Sequence, residues 1–240
     1  GIRKYFEMVY EMEGVISLGV GEPDFVTPWN VREAGIYSLE KGHTHYSSNA
    51  GFLELRYEIS RYLHRRFNLC YRAEDEILVS VGGSEGIDLA LRALVGPGDE
   101  VIIPEPSFVA YKGCATFTGA TPKVIELKAE NAFKLTKEEL LEAITPKTKV
   151  VIMPFPNNPT GAIMTREELQ ELVDVLKGKD IIIISDEIYA ELTYQTEHVS
   201  IASFPEVKEQ TLVINGFSKA YAMTGWRLGY VCGHPTLISA

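Results

Sequence analysis

Cysteine is scarce: 240 residues carry three, Cys70, Cys114 and Cys232. They are odd in number, widely spaced and set among apolar or small neighbours, which argues against a disulfide framework and fits a reducing cytoplasm. No apolar run approaches the length of a membrane span. The opening GIRKYFEMVYEMEG has acidic residues where a signal peptide would be apolar. Basic clusters are missing beyond Arg65-Arg66, and the formal net charge is -10, which argues against nucleic acid or an anionic membrane as partner. There is no internal repeat, low-complexity tract or linker. What is present is a chain 45% hydrophobic, ample for a buried core, with small molecules as the expected partners.

Along the chain, an amphipathic start and a short strand-like VISLGV lead to a turn at Gly21-Glu22-Pro23-Asp24. A helical stretch follows from Pro28, expected as its first helical residue, to Gly42. HTHYSSNA, residues 43–50, reads as a polar loop. Then Leu55, Ile59, Leu63 and Phe67 recur at four-residue steps, one face of a long helix. From Ile77 the pattern changes to seven short strands: residues 77–81, 100–103, 121–127, 149–153, 181–185, 211–214 and 227–232. Thr136-Lys137-Glu138-Glu139 and Thr165-Arg166-Glu167-Glu168 are capping boxes that open helices. Strands such as IIIIS and KVVIM are apolar throughout, as in a sheet covered on both faces. The expected fold is α/β, a three-layer sandwich on a seven-stranded, mostly parallel sheet. The last two strands are too closely joined for an ordinary parallel crossover, so one of them is expected to run antiparallel.

In such a sheet, ligands bind beyond the carboxyl ends of the strands. The polar residues there are Gly82-Gly83-Ser84, Phe108, Asn158, Asp186, Tyr189 and Ser218-Lys219. Glycines at a helix start expose amides that suit a phosphate, although Ser84 could equally serve as a helix cap. Glu85 and Asp88 would repel an anion unless they point away. Gly82-Gly83-Ser84-Glu85-Gly86 also matches a nucleophile elbow, with Asp186 and then His198 or His234 in hydrolase order, the rival being a serine hydrolase acting through Ser84. That reading gives no task to Asn158, Lys219 or Arg227. Pro156-Asn157-Asn158-Pro159-Thr160-Gly161 is a turn by composition. Asp186 leaves a strand of four isoleucines, where a carboxylate needs a cationic or hydrogen-bonding partner. In NGFSKAYAMTGWRLGY, Lys219 lies in a small-residue bend with Arg227 eight residues on.

The segments GEPDF, PEPSFVAY, NNPTG, SDEIY and SKAYAMTGWRLGY, in this order and spacing, resemble the pyridoxal-phosphate-dependent aminotransferases of class I and II, fold type I. The resemblance covers nearly all of the chain. It implies that Lys219 forms a Schiff base with the cofactor and that Arg227 grips the phosphate together with Gly83 and Ser84. It implies Asp186 on the pyridinium nitrogen, Asn158 and Tyr189 on the phenolic oxygen, and Phe108 stacked on the ring, with Ser218 beside the lysine. Gly21 is similar to the residue that meets the substrate carboxylate, with Asn158 nearby. Tyr46 is similar to the tyrosine that reaches the phosphate of a neighbouring subunit, which implies a homodimer with shared sites. Lys219 is expected to have its pKa lowered by desolvation and by Arg227.

The implied activity is transfer of an amino group between an L-amino acid and a 2-oxo acid. The alternatives are a pyridoxal-phosphate-binding sensor or a related lyase or synthase. Residues 1–42 are expected to be the N-terminal piece of a split small domain and residues 43–240 the large cofactor-binding domain. Family members continue past the position of Ala240 into the rest of the small domain, which normally holds the arginine for the substrate's α-carboxylate.

Overall fold

The computed structural model describes residues 21–194 and 196–240, with Met8, residues 12–14, Ile16 and Gly19 besides. The amphipathic start and most of VISLGV lie outside the described residues. Helix α1 spans Trp29–Glu40 and buries none of its side chains. Pro28 stands one position before its first residue, at the cap with ψ 143°, because a proline's fixed φ suits extended entry as well as the first turn. Helix α2, Leu53–Phe67, buries Ile59 and Leu63, and Leu55 and Phe67 pack on the same cluster.

The sheet strands are β1 (Ile77–Ser80), β2 (Glu100–Glu105), β3 (Thr121–Glu126), β4 (Thr148–Met153), β5 (Ile182–Asp186), β6 (Thr211–Gly216) and β7 (Gly229–Cys232). Their spatial order is β1-β7-β6-β5-β4-β2-β3. Strand β7 runs antiparallel to both β1 and β6, while the other neighbouring pairs are parallel. The antiparallel strand expected at the end of the chain is therefore β7. It begins at Gly229 and not at Arg227, because Arg227 closes a 3-10 turn in the left-handed region, at φ 54°.

Alternation along the strands sorts the core into two faces. Ile103, Val150, Ile152, Ile184 and Ile214 pack under helices α3 (Gly83–Leu94) and α4 (Ala110–Phe117). Ile102, Val151, Met153 and Ile183 face α5 (Lys137–Ala143) and α6 (Arg166–Leu176). Both α5 and α6 open on the expected capping boxes, with Thr136 accepting from the Glu139 amide and Thr165 from the Glu168 amide. A third cluster joins α2 to β1, β6 and β7. Two short helices, α7 (Pro205–Lys208) and α8 (Pro235–Ile238), lie later in the chain. Among the described residues no helix is long and apolar enough to cross a membrane.

Candidate active site

Six strands share one direction, so their carboxyl ends, and the start of the reversed β7, meet at one end of the sheet. At the β1 exit Gly82 sits at φ 77°, and a Cβ there would lie 2.5 Å from Nη2 of Arg227. Glycine therefore serves two needs at once, a backbone conformation that L side chains rarely adopt and the close approach of a guanidinium to the start of α3. Gly229 is equally constrained, since a Cβ on it would lie 2.6 Å from the Gly83 amide nitrogen. The result is a helix start with its first amides lacking intrahelical partners and an arginine beside it, the ingredients of a phosphate cradle. Ser84 does not cap the helix: Gly82 holds the cap position without a side-chain bond, and Ser84 lies within the first turn, exposed. The acidic neighbours are turned away. Glu85 accepts from the Val81 amide, and Asp88 pairs with Arg92 at 2.7 Å.

Asp186 is the last residue of β5, buried to 7% exposure. Its Oδ2 accepts from the Tyr111 hydroxyl at 2.6 Å, and its Oδ1 accepts from the Ile188 amide at 3.2 Å. Burial holds its carboxyl above the ordinary aspartate range, against the opposing pull of the Tyr111 and Ile188 hydrogen bonds. Tyr111 stands one helical turn beyond Phe108, and their rings meet edge to face at 5.6 Å, so the expected stacking residue and the expected ring-nitrogen partner are linked through it. Tyr111 was not singled out in the sequence. The available signal was the need of a buried carboxylate for a donor, with a tyrosine in an apolar helix three residues after Phe108.

Tyr189, half-buried, receives a hydrogen bond from the exposed Asn158 amide at 3.4 Å. The neighbouring Asn157 is the structural member of the pair: its Oδ1 accepts from both the amide and the hydroxyl of Thr160, and its side-chain amide donates to Pro106. That leaves Asn158 free to face the site. Lys219 lies in the bend after β6, with Nζ 5.6 Å from the centre of the Tyr189 ring and bonded to the Gly21 carbonyl. Its pKa is lowered, chiefly by desolvation and also by Arg227, with Glu22 pulling the other way. Ser218 is buried beside it, and its carbonyl accepts from the Met223 amide.

The segment from Gly21 to Thr27 lies over this bend. Besides the Gly21 contact, Thr224 donates to Glu22 at 3.1 Å, Thr27 donates to the Ala222 carbonyl at 2.6 Å, and the Trp226 indole donates to Thr27 at 3.0 Å. Glu22, Thr27 and Trp226 were also missed, because a contact across some 200 positions leaves no local pattern. Tyr46 stands apart, fully exposed. The two histidines of the hydrolase reading are engaged elsewhere: His198 contacts Glu187 at 2.8 Å, and His234 caps α8 and lies 3.4 Å from Glu209. Among the described residues no hydrogen bond joins either to Ser84, so the triad is not assembled.

The model of the aminotransferase class I and II family matches residues 13–240. The chain belongs to that family. It is 54% identical over 238 residues to the Bacillus subtilis protein YugH, covering 99% of this chain and 61% of that one. It is 41% identical over 231 residues to aromatic-amino-acid aminotransferase 2 of Thermococcus litoralis, covering 96% of this chain and 59% of the relative. The solved aspartate aminotransferase of Thermus thermophilus with maleate superposes at a TM-score of 0.93 and 38% identity, over 99% of this chain and 61% of that one. The chain thus spans about three-fifths of the relatives it matches. Pyridoxal phosphate suits the donor set: an arginine and free amides for a phosphate, a buried carboxylate for a ring nitrogen, a desolvated amine for an aldehyde and an aromatic face for a ring.

Proposed function

We propose that this aminotransferase-family chain carries the cofactor half of a transaminase that moves an amino group between an L-amino acid and a 2-oxo acid. The observation that supports it best is the convergence of Lys219, buried Asp186 and the Arg227–Gly82 cradle at one end of the sheet. Pyridoxal phosphate, when bound, supplies the electron sink that makes a substrate's α-proton removable. The residues of the chain do the rest. Arg227 and the amides at Gly83 and Ser84 would hold the phosphate, and Phe108 would offer its face to the ring. Asp186 would keep the ring nitrogen protonated by placing a negative charge against it. Asn158 and Tyr189 would bond the phenolic oxygen. Lys219, its pKa lowered by desolvation, would serve as nucleophile toward the aldehyde and then as the base that takes the α-proton. The backbone of Gly21, whose carbonyl accepts from Lys219, would meet the substrate's carboxylate.

Tyr46, fully exposed, and the exposed side chains of Phe25, Val26 and Trp29 support a homodimer in which Tyr46 reaches the partner's phosphate. Residues 1–42 fit the N-terminal piece of a small domain, in keeping with an α1 that buries nothing. Three free cysteines, one exposed, fit a reducing cytoplasm. Donor range is tested by incubating the cofactor-loaded protein with single amino acids and assaying the matching 2-oxo acid by mass spectrometry. Stoichiometric 2-oxo acid from at least one amino acid is expected, and none from any of the standard set contradicts the transaminase reading.

A further inference from the structure

Asp186 has a neighbour to which the proposed reaction assigns no task. Glu187, 1% exposed, follows it at the β5 exit. Consecutive residues of a strand point to opposite faces: Asp186 meets Tyr111 under α4, and Glu187 turns to the other side. There its Oε1 accepts from the hydroxyls of Ser185 at 2.8 Å and Ser200 at 2.6 Å, while its Oε2 meets Nε2 of His198 at 2.8 Å. Its own amide donates to the Ile214 carbonyl of β6 at 2.8 Å. His198 is itself buried and packs edge to face on Phe67 of α2, with ring centres 5.5 Å apart. A carboxylate this far from water is costly unless its lone pairs are filled, and here both oxygens have partners supplied by two separate segments.

We propose that Glu187 is a positioning residue for Asp186: gripped from the rear by Ser185, Ser200 and His198, it fixes the β5 exit and sets a second buried carboxylate beside the first. The inference rests on the cofactor reading of Asp186, because a more basic Asp186 is of use only where a cationic ring nitrogen has to be held. The geometry gives Glu187 two effects. It pins the turn that carries both Asp186 and Tyr189, and its negative charge opposes ionisation of Asp186, adding to the larger effect of burial. The other titratable groups around the pair are Tyr111 and Tyr189 on the side of Asp186, with His198, Tyr71, Tyr230 and Cys232 on the side of Glu187. Burial raises the last three, and Glu187 adds to the rise in each.

The test follows Asp186 itself. Full chain without cofactor, labelled with 13C at aspartate side-chain carboxyls, is titrated by NMR, and the Asp186 signal is assigned with Asp186→Asn. Glu187→Gln keeps the volume and an acceptor for both serines while removing the charge. It should lower the Asp186 midpoint by about half to one pH unit. An unmoved or raised midpoint in the folded variant overturns the proposal, since a merely structural Glu187 would change the melting temperature alone. If Glu187→Gln does not fold, Ser200→Ala decides, because it removes one donor that grips Glu187 and touches neither Asp186 nor Tyr111. A moved Asp186 midpoint then supports the proposal, and an unmoved one overturns it. Uptake of pyridoxal phosphate, read by absorption on the same samples, is separate: its failure would defeat the cofactor reading while the titration result stands.

Discussion

At the scale of single residues, the site depends on charges held out of water. The Asp186 carboxyl is raised by burial, so in the cofactor-free protein its ionisation opposes folding. The unfolded chain releases this proton at the ordinary aspartate value, and the folded chain does so only at higher pH. The stability that this raised value represents is full below the unfolded value and is lost as pH rises through the folded one. Asp186→Asn is therefore expected to stabilise the cofactor-free protein relative to wild type at neutral pH, with the difference shrinking as pH falls toward 4. Thermal melts at a series of pH values check this, and a difference that grows on acidification contradicts it. Tyr111→Phe removes the 2.6 Å donor and is expected to cost about 1–2 kcal/mol in urea unfolding, and less in an Asp186→Asn background, where the acceptor carries no charge. Equal costs in the two backgrounds would mean that the tyrosine does not act through the carboxylate. Among the candidate site residues, Asp186 and Lys219 stood out in the sequence because one ends and the other follows a short apolar strand. Tyr111 did not, because a tyrosine in an apolar helix looks like core until its hydroxyl partner is known.

At the scale of elements, legibility followed locality. The two capping boxes and the seven strands are written in neighbouring residues, and the structure forms all of them. Arg227 shows where that reasoning stops. A run RLGYVC invites a strand from its first residue, yet the arginine must turn back over Gly82 and does so at φ 54°, a demand set by α3 and β1 more than a hundred positions earlier. Thr165→Ala, which removes the cap of α6, is expected to cost about 1 kcal/mol by chemical denaturation, with no change in cofactor affinity. Gly82→Ala is expected to do the reverse in emphasis. A methyl group there meets the guanidinium and forces either the turn or the arginine to move, so pyridoxal phosphate affinity should fall by at least about tenfold, as loss of one charge-assisted hydrogen bond would give. A calorimetric titration showing unchanged affinity would remove Arg227 from the phosphate site.

For the molecule as a whole, six strands aligned in one direction bring Gly82, Asp186 and the Lys219 bend to a single edge, and β7 alone of the seven reverses, with Arg227 just before it beside the start of α3. The layer order and the reversed strand were readable from apolar strand runs and connection lengths. The path of the segment from Gly21 to Thr27 across the lysine bend was not, since its anchors, the Thr27, Trp226 and Ala222 contacts, join opposite ends of the chain. The measurement that bears most directly on the account is the absorption spectrum of the protein after incubation with pyridoxal phosphate and gel filtration, for wild type and Lys219→Ala. The account predicts a retained visible band distinct from that of free cofactor in the wild type and its loss in the variant. A wild-type protein that emerges colourless, or a variant with the same band, would contradict it.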